Sequence, residues 1–327
     1  MRFIRRFWPQ ALLVLLLVSG VVFWSRHNEI LDWVATRGYT PPAHVAALVE
    51  DTTMTPYAQR LFYVNRPAVQ DRHEFNENCT DPSEQVAVLG CFVGNRMGIF
   101  IYDVTDERLE GIKQVTAAHE MLHQAYQRLS KKEKARINKL LEDYYKNRAS
   151  DKLRNKVASY QHQHSNQEQL LNEMHSIFGT EAPGLPAELE EYYSRYFADR
   201  SRVLALYQRY QSEFDDRIAR INELDERLST LKSGIEADKA ELERMEEDLR
   251  RRRDQLDAYL ASGAIATYNA AVPGFNADVV AYRNMVDAIN RDVEYFNRLL
   301  AERNEIAVQE RELEEAIDSS VDTASRR

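Results

Sequence analysis

The sequence predicts an α+β fold, predominantly helical, in three parts. These are an N-terminal transmembrane helix, a small domain with a short sheet, and a C-terminal antiparallel coiled-coil hairpin. Three observations carry that reading. Ala11 to Trp24 holds no charged residue and follows three arginines. Short β-rich runs give way after Asp106 to helical patterning that continues almost to the end. Apolar residues then recur every seven positions from Ile221 to Leu256. With 327 residues, 44% of them hydrophobic, the chain can build one sizeable core and a second element. It carries 43 Lys+Arg against 52 Asp+Glu, a net charge of -9. That balance is the reverse of a polyanion binder's, so no nucleic-acid partner is expected. Two Cys exclude a disulfide-dense miniprotein and a four-cysteine zinc site.

Residues 1–26 read as a cytoplasmic tail and signal anchor. Arg2, Arg5 and Arg6 precede the apolar run and Arg26 closes it. About 18–20 apolar residues cross a bilayer as a helix. The basic flank keeps the N-terminus cytoplasmic, so the chain is expected in the cell membrane as a single-pass protein with the remainder extracytoplasmic. A cleaved signal peptide is the alternative. Against it, Trp24, Arg26 and His27 stand where small cleavage-site residues belong. Either way the rest of the chain meets an oxidising compartment. Cys79 and Cys91, 12 positions apart, are therefore expected to form a disulfide, the alternative being two buried thiols.

Residues 27–60 read as a linker with short helices, interrupted by Pro41-Pro42 and Pro56. A domain spans 61–202. Leu61–Val64, Val86–Leu89 and Ile99–Tyr102 are β-rich runs bounded by turn residues, which suggests about three strands. Helices follow over 109–129, 131–145, 150–161, 166–178 and 186–200. Ser130 with Glu133 forms a capping-box pattern, and Gly179 reads as a helix stop. Residues 203–317 form the coiled-coil segment. Ile221, Leu228, Ile235, Leu242, Leu249 and Leu256 make one seam, and the second is interrupted by Asp238 and Arg252. Gly263, Pro273 and Gly274 place a tip at 263–275. The heptads fit a hairpin or self-association with a partner helix. Residues 318–327 read as a frayed, disordered tail.

The chemistry concentrates in His119-Glu120-Met121-Leu122-His123, an HExxH pattern. Residues four apart share a helix face, so both imidazoles can bind one metal ion while Glu120 reaches a bound water. Two His and an open position suit Zn2+. No charge or Pro other than Glu120 intrudes from Val115 to Ala125, which predicts a buried helix. The bland alternative is a pair of satisfied core histidines. Asn172-Glu173-Met174-His175-Ser176 supplies the best third ligand, Glu173, on a separate predicted helix.

HExxH followed by a helix bearing N-E-x-x-S resembles the gluzincin metallopeptidases, the thermolysin-like clan. The likeness covers roughly residues 85–200. It implies a zincin-like domain in which His119, His123 and Glu173 ligate Zn2+ and Glu120 is the general base. The acidic residue that usually follows N-E-x-x-S is Ile177 here. In the family it orients a ligand histidine. The stretch 60–200 is also similar to membrane-anchored bacterial proteins that join a HEMLH core to a C-terminal coiled coil.

Other histidines compete for roles. His175 lies on the Glu173 helix but on a different face. His162 and His164 fall in a polar loop. Each is a candidate transition-state stabiliser, and His162 and His164 are also candidate replacement ligands. Tyr192, Tyr193, Tyr196 and Phe197 read as a core face. The expected function is a membrane-anchored, extracytoplasmic zinc metallopeptidase acting on a peptide or protein substrate, with the coiled coil as a docking arm for a protein partner. The alternatives are an envelope scaffold with a structural zincin-like domain and a non-peptidase zinc hydrolase.

Overall fold

The computed structural model describes residues 27–79, 89–94, 96–163 and 166–320. The expected membrane anchor over 1–26 lies outside them. Among the described residues no helix is long and apolar enough to cross a membrane. The chain forms two compact units. One ends at Ser212 and takes the chain back from Glu315; the other is Glu213–Glu314.

The first unit opens with helical residues 27–36 (α1), then α2 (Ala43–Asp51) and α3 (Pro56–Tyr63). The stretch read as a linker is thus part of the domain. Val45, Leu48 and Val49 of α2, Met54, and Ala58 and Phe62 of α3 all enter the main hydrophobic core. The run Leu61–Val64, expected as a strand, is the end of α3. Thr55 caps that helix by accepting from the Ala58 N–H at 3.3 Å, and Pro56 occupies its first turn. A four-residue apolar run has no period of its own, and the cap upstream decided its state.

The sheet consists of β1 (Ala68–Gln70), β2 (Gly90–Phe92) and β3 (Ile99–Tyr102), in the order β1-β3-β2. β1 runs parallel to β3, and β2 antiparallel to it along the other side, with Cys91 opposite Phe100. The strand expected at 86–89 begins instead at Gly90; residues 86–88 lie outside the described segments. Between β1 and β2, α4 (Arg72–Asn78) leads to Cys79. Cys79 and Cys91 are at disulfide bonding distance, with Cα atoms 6.0 Å apart. This ties β2 to the end of α4.

α5 (Ile112–Gln127) is the central helix. It packs on α2, α3, β2 and β3, and most extensively on α8 (Gln167–Glu181). Ala117, Ala118 and Ala125 are small enough to admit those neighbours, and all three are fully buried. Gly111 opens the helix at φ 106°, where a Cβ would also lie 2.6 Å from the Leu206 carbonyl oxygen. α6 (Lys131–Asn147) starts with the expected capping box of Ser130 and Glu133. α7 covers Asp151–Gln163, extending through His162 into the expected loop.

Gly179 does not stop its helix. α8 continues to Glu181, and Gly179 is a notch: a Cβ there would meet Leu122 Cδ1 at 2.4 Å and Tyr193 Cε1 at 2.7 Å. Close packing across α5 and α9 (Ala187–Tyr193) explains this glycine better than a cap. The helix ends under Arg200, which donates to the carbonyl oxygens of Phe178, Gly179 and Ala182 at 3.3, 3.4 and 3.0 Å. The helix expected over 186–200 is split. α9 ends at Tyr193, Met54 bridges Phe197, and α10 (Arg200–Ala261) begins anew.

The second unit is a helical hairpin built from α10 and α11 (Ile265–Ile317). Its arms are antiparallel: Arg220 pairs with Glu302 and Arg303 with Asp225, while Arg252 reaches Asp278 near the turn. Leu224, Leu228 and Leu299 form its core. The heptads therefore face a helix of the same chain. The tip is narrower than expected, with Gly263 at φ 71° between the helices and Pro273 inside α11. Past α11 the chain rejoins the first unit, where Asn76 donates to the Ser319 carbonyl oxygen at 2.5 Å. Residues 318–320 are thus docked, unlike the frayed tail expected there; 321–327 are outside the described residues.

Candidate metal centre

The HExxH spacing places His119 and His123 one turn apart on α5, with ring centroids 4.8 Å apart. α8 crosses that face and brings Glu173 to both. Its carboxylate oxygens lie 3.5 Å from His119 Nε2 and 3.5 Å from His123 Nε2. One ligand atom from each of the three residues lies within 4.8 Å of the others. Glu173 and His123 are buried, and His119 nearly so.

The donor set fits a small divalent cation. Corners about 2.1 Å from a tetrahedral centre are about 3.4 Å apart, close to the observed imidazole–carboxylate separations. The three groups thus turn their ligand atoms toward one another around a common point. Electrostatics agree. Burial alone would depress the His119 pKa, but the hydrogen bond with Glu173 and the charges of Glu120, Glu173 and Glu181 outweigh it and raise it. The site attracts positive charge, whether a proton or a metal ion.

Ser176 extends the site. It lies one turn past Glu173 on α8, and its Oγ is 3.3 Å from His123 Nδ1. A hydroxyl accepting from Nδ1–H leaves the Nε2 lone pair directed at the centre. Ser176, the serine of the Asn172–Ser176 run, is thus the residue of that run that meets the histidine through its ring Nδ1.

Glu120 is buried beside the imidazole face. β2 lies directly against it. A Cβ on Gly90 would stand 2.9 Å from Glu120 Oε1 and 2.5 Å from Thr116 Cγ2. The missing side chain at position 90 therefore makes room for the general-base candidate.

His175 is turned away from this convergence into an aromatic cage. Its Nε2 is 2.7 Å from Tyr192 Oη, and Tyr193 donates to its backbone carbonyl oxygen at 2.7 Å. Tyr192 Oη in turn lies 3.2 Å from Tyr196 Oη. Nδ1 is buried with no hydrogen-bond partner among the described residues. A proton therefore belongs on Nε2, where His175 donates to Tyr192. Burial, then the charges of His123 and His119, lower its pKa to about 3. Burial pushes the Tyr196 hydroxyl up to about 12 and that of Tyr192 higher still. These groups form a buried, neutral cluster, and Tyr192, Tyr193, Tyr196 and Phe197 are core residues.

Asn172, beside Glu173, has its Oδ1 buried without a hydrogen-bond partner among the described residues. His162 lies in the last turn of α7, and His164 falls outside the described residues. Sequence reasoning did not foresee the contacts of Ser176 and Gly90. Nothing local marked Gly90. The chain matches no family model, no curated protein and no solved structure.

Proposed function

We propose that this protein is a membrane-anchored, extracytoplasmic zinc metallopeptidase that hydrolyses peptide bonds. One observation carries the reading: two imidazoles and the Glu173 carboxylate converge while a fourth group, Glu120, stands buried beside them outside the donor set. A purely structural metal site has no use for that extra carboxylate.

His119, His123 and Glu173 would hold the ion, and Ser176 would keep His123 in the ligating tautomer. When bound, Zn2+ supplies the Lewis acidity that acidifies a water and polarises a carbonyl. Glu120 accepts the proton as the water oxygen bonds to the peptide carbon. It then delivers that proton to the leaving nitrogen as the C–N bond breaks. β2, at the sheet edge and against Glu120, offers backbone groups along which an extended peptide can lie. That favours a polypeptide substrate over a small ester or amide. The hairpin of α10 and α11 serves as an arm for a protein partner.

The test is metal analysis with hydrolysis of an unfolded protein. Wild type should carry one zinc per chain and cleave. Glu120→Gln should keep the metal and lose hydrolysis by at least about 100-fold. His119→Ala should lose both. Equal residual cleavage by wild type and Glu120→Gln would remove the peptidase assignment and leave a scaffold.

A further inference from the structure

The outer face of α1 exposes four large apolar side chains, with His27 among them near the start of the helix. Ile30, Leu31, Trp33 and Val34 are 39, 47, 56 and 57% exposed. At 3.6 residues per turn these four side chains occupy an arc of about 160°. Asp32 lies opposite the middle of that arc and is only 6% exposed. It accepts from Arg96 Nε and Nη2 at 3.0 and 2.7 Å and from Arg128 Nη2 at 2.8 Å. Arg128 caps α5, and Arg96 belongs to the turn between β2 and β3. α1 is therefore fixed to the domain by its polar side, which commits the apolar side outward. Arg66 adds a second fastening, donating to the Ala35 carbonyl oxygen at 2.9 Å. The same turn exposes Met97 and Val93.

We infer that this face of α1 seats in the interfacial region of the lipid bilayer. The occupant follows from where the chain goes. The uncharged run ends at Trp24, six positions before Ile30, so an anchor crossing there delivers α1 at the membrane surface. The face has the composition of an interfacial helix, with an indole among aliphatic side chains. Arg37, whose guanidinium lies 5.0 Å over the Trp33 ring, can meet anionic headgroups at its edge. The inference rests on the anchor reading. It adds that the domain lies against the bilayer in a set orientation, with α5 linked to the lipid-facing helix through Arg128 and Asp32.

The chain has three tryptophans, so Trp8→Phe with Trp24→Phe leaves Trp33 as the reporter. The full chain is reconstituted into phosphatidylcholine–phosphatidylglycerol vesicles and floated on a density gradient. Fluorescence is then read with lipids brominated at different acyl depths and with aqueous acrylamide. The expected result is flotation, blue-shifted Trp33 emission, and strongest quenching by lipids brominated near the headgroup. Adding Leu31→Glu and Val34→Glu should shift the emission red and expose Trp33 to acrylamide, at unchanged zinc content. Chains that float but show Trp33 open to acrylamide and untouched by bromolipid overturn the proposal and leave the anchor standing. Blue-shifted emission without lipid quenching means that a second copy covers the face, and also overturns it. Chains that do not float overturn the anchor and this surface together.

Discussion

Ser176 and His175 are neighbours in sequence with opposite duties. Ser176 faces the imidazole of His123, and His175 faces the tyrosine cage. Outer hydrogen bonds to ligand histidines are typically worth about 10–100-fold in metal affinity. Ser176→Ala should weaken zinc binding by about that factor, read by competition with a chelator, with the fold intact. His175 makes a pH prediction. Its pKa is near 3 in the folded chain against 6.5 unfolded, so below 6.5 the unfolded state binds a proton that the folded state refuses. This contribution to stability is complete above pH 6.5 and is lost as pH falls toward 3, at roughly 1 kcal/mol per pH unit. Urea unfolding at pH 7.5 and pH 5 should show that loss in wild type and a smaller one in His175→Gln.

Among the elements, β2 is short but governs the site. Gly90 sits where a methyl group would strike Thr116 and Glu120. Gly90→Ala should displace the Glu120 side chain and reduce hydrolysis by at least about tenfold. Zinc stoichiometry should hold, because His119, His123 and Glu173 lie on other elements. The outcome is read by comparing turnover with metal content in the same preparation. α5 and α8 were largely legible before the structure, because each is a long stretch that no proline interrupts. The short elements were not. Leu61–Val64 had a strand's composition and became helix under the Thr55 cap. Gly179 had the look of a stop and turned out to be a packing notch under Leu122 and Tyr193. In both places a contact distant in sequence, or a cap outside the run, overrode local preference.

On the scale of the molecule, two units have separate cores. Leu224 is fully buried between the hairpin arms, and its cluster is distinct from the core around the candidate metal centre. Leu224→Ala should destabilise the hairpin by about 2–5 kcal/mol while zinc content stays at the wild-type level. Hydrogen exchange resolved along the chain, with metal analysis, checks both halves of that statement. A loss of zinc with the hairpin would mean that the two units stand or fall together.

The sequence alone marked a helix with two imidazoles on one face, named Glu173 as their candidate partner, and showed that a heptad-bearing segment follows. Spacing on a helix is local geometry: residues four apart share a face in any helix, and a seven-residue apolar repeat needs a facing helix wherever it occurs. The tertiary structure decided what spacing cannot hold. It chose which helix the heptads face, because ion pairs such as Arg220–Glu302 join residues 82 positions apart in one chain. It brought the Glu173 carboxylate to 3.5 Å from each imidazole, set Ser176 against His123, and laid Gly90 on Glu120. Those are contacts between elements. They depend on packing across the whole core, which no short window of sequence contains.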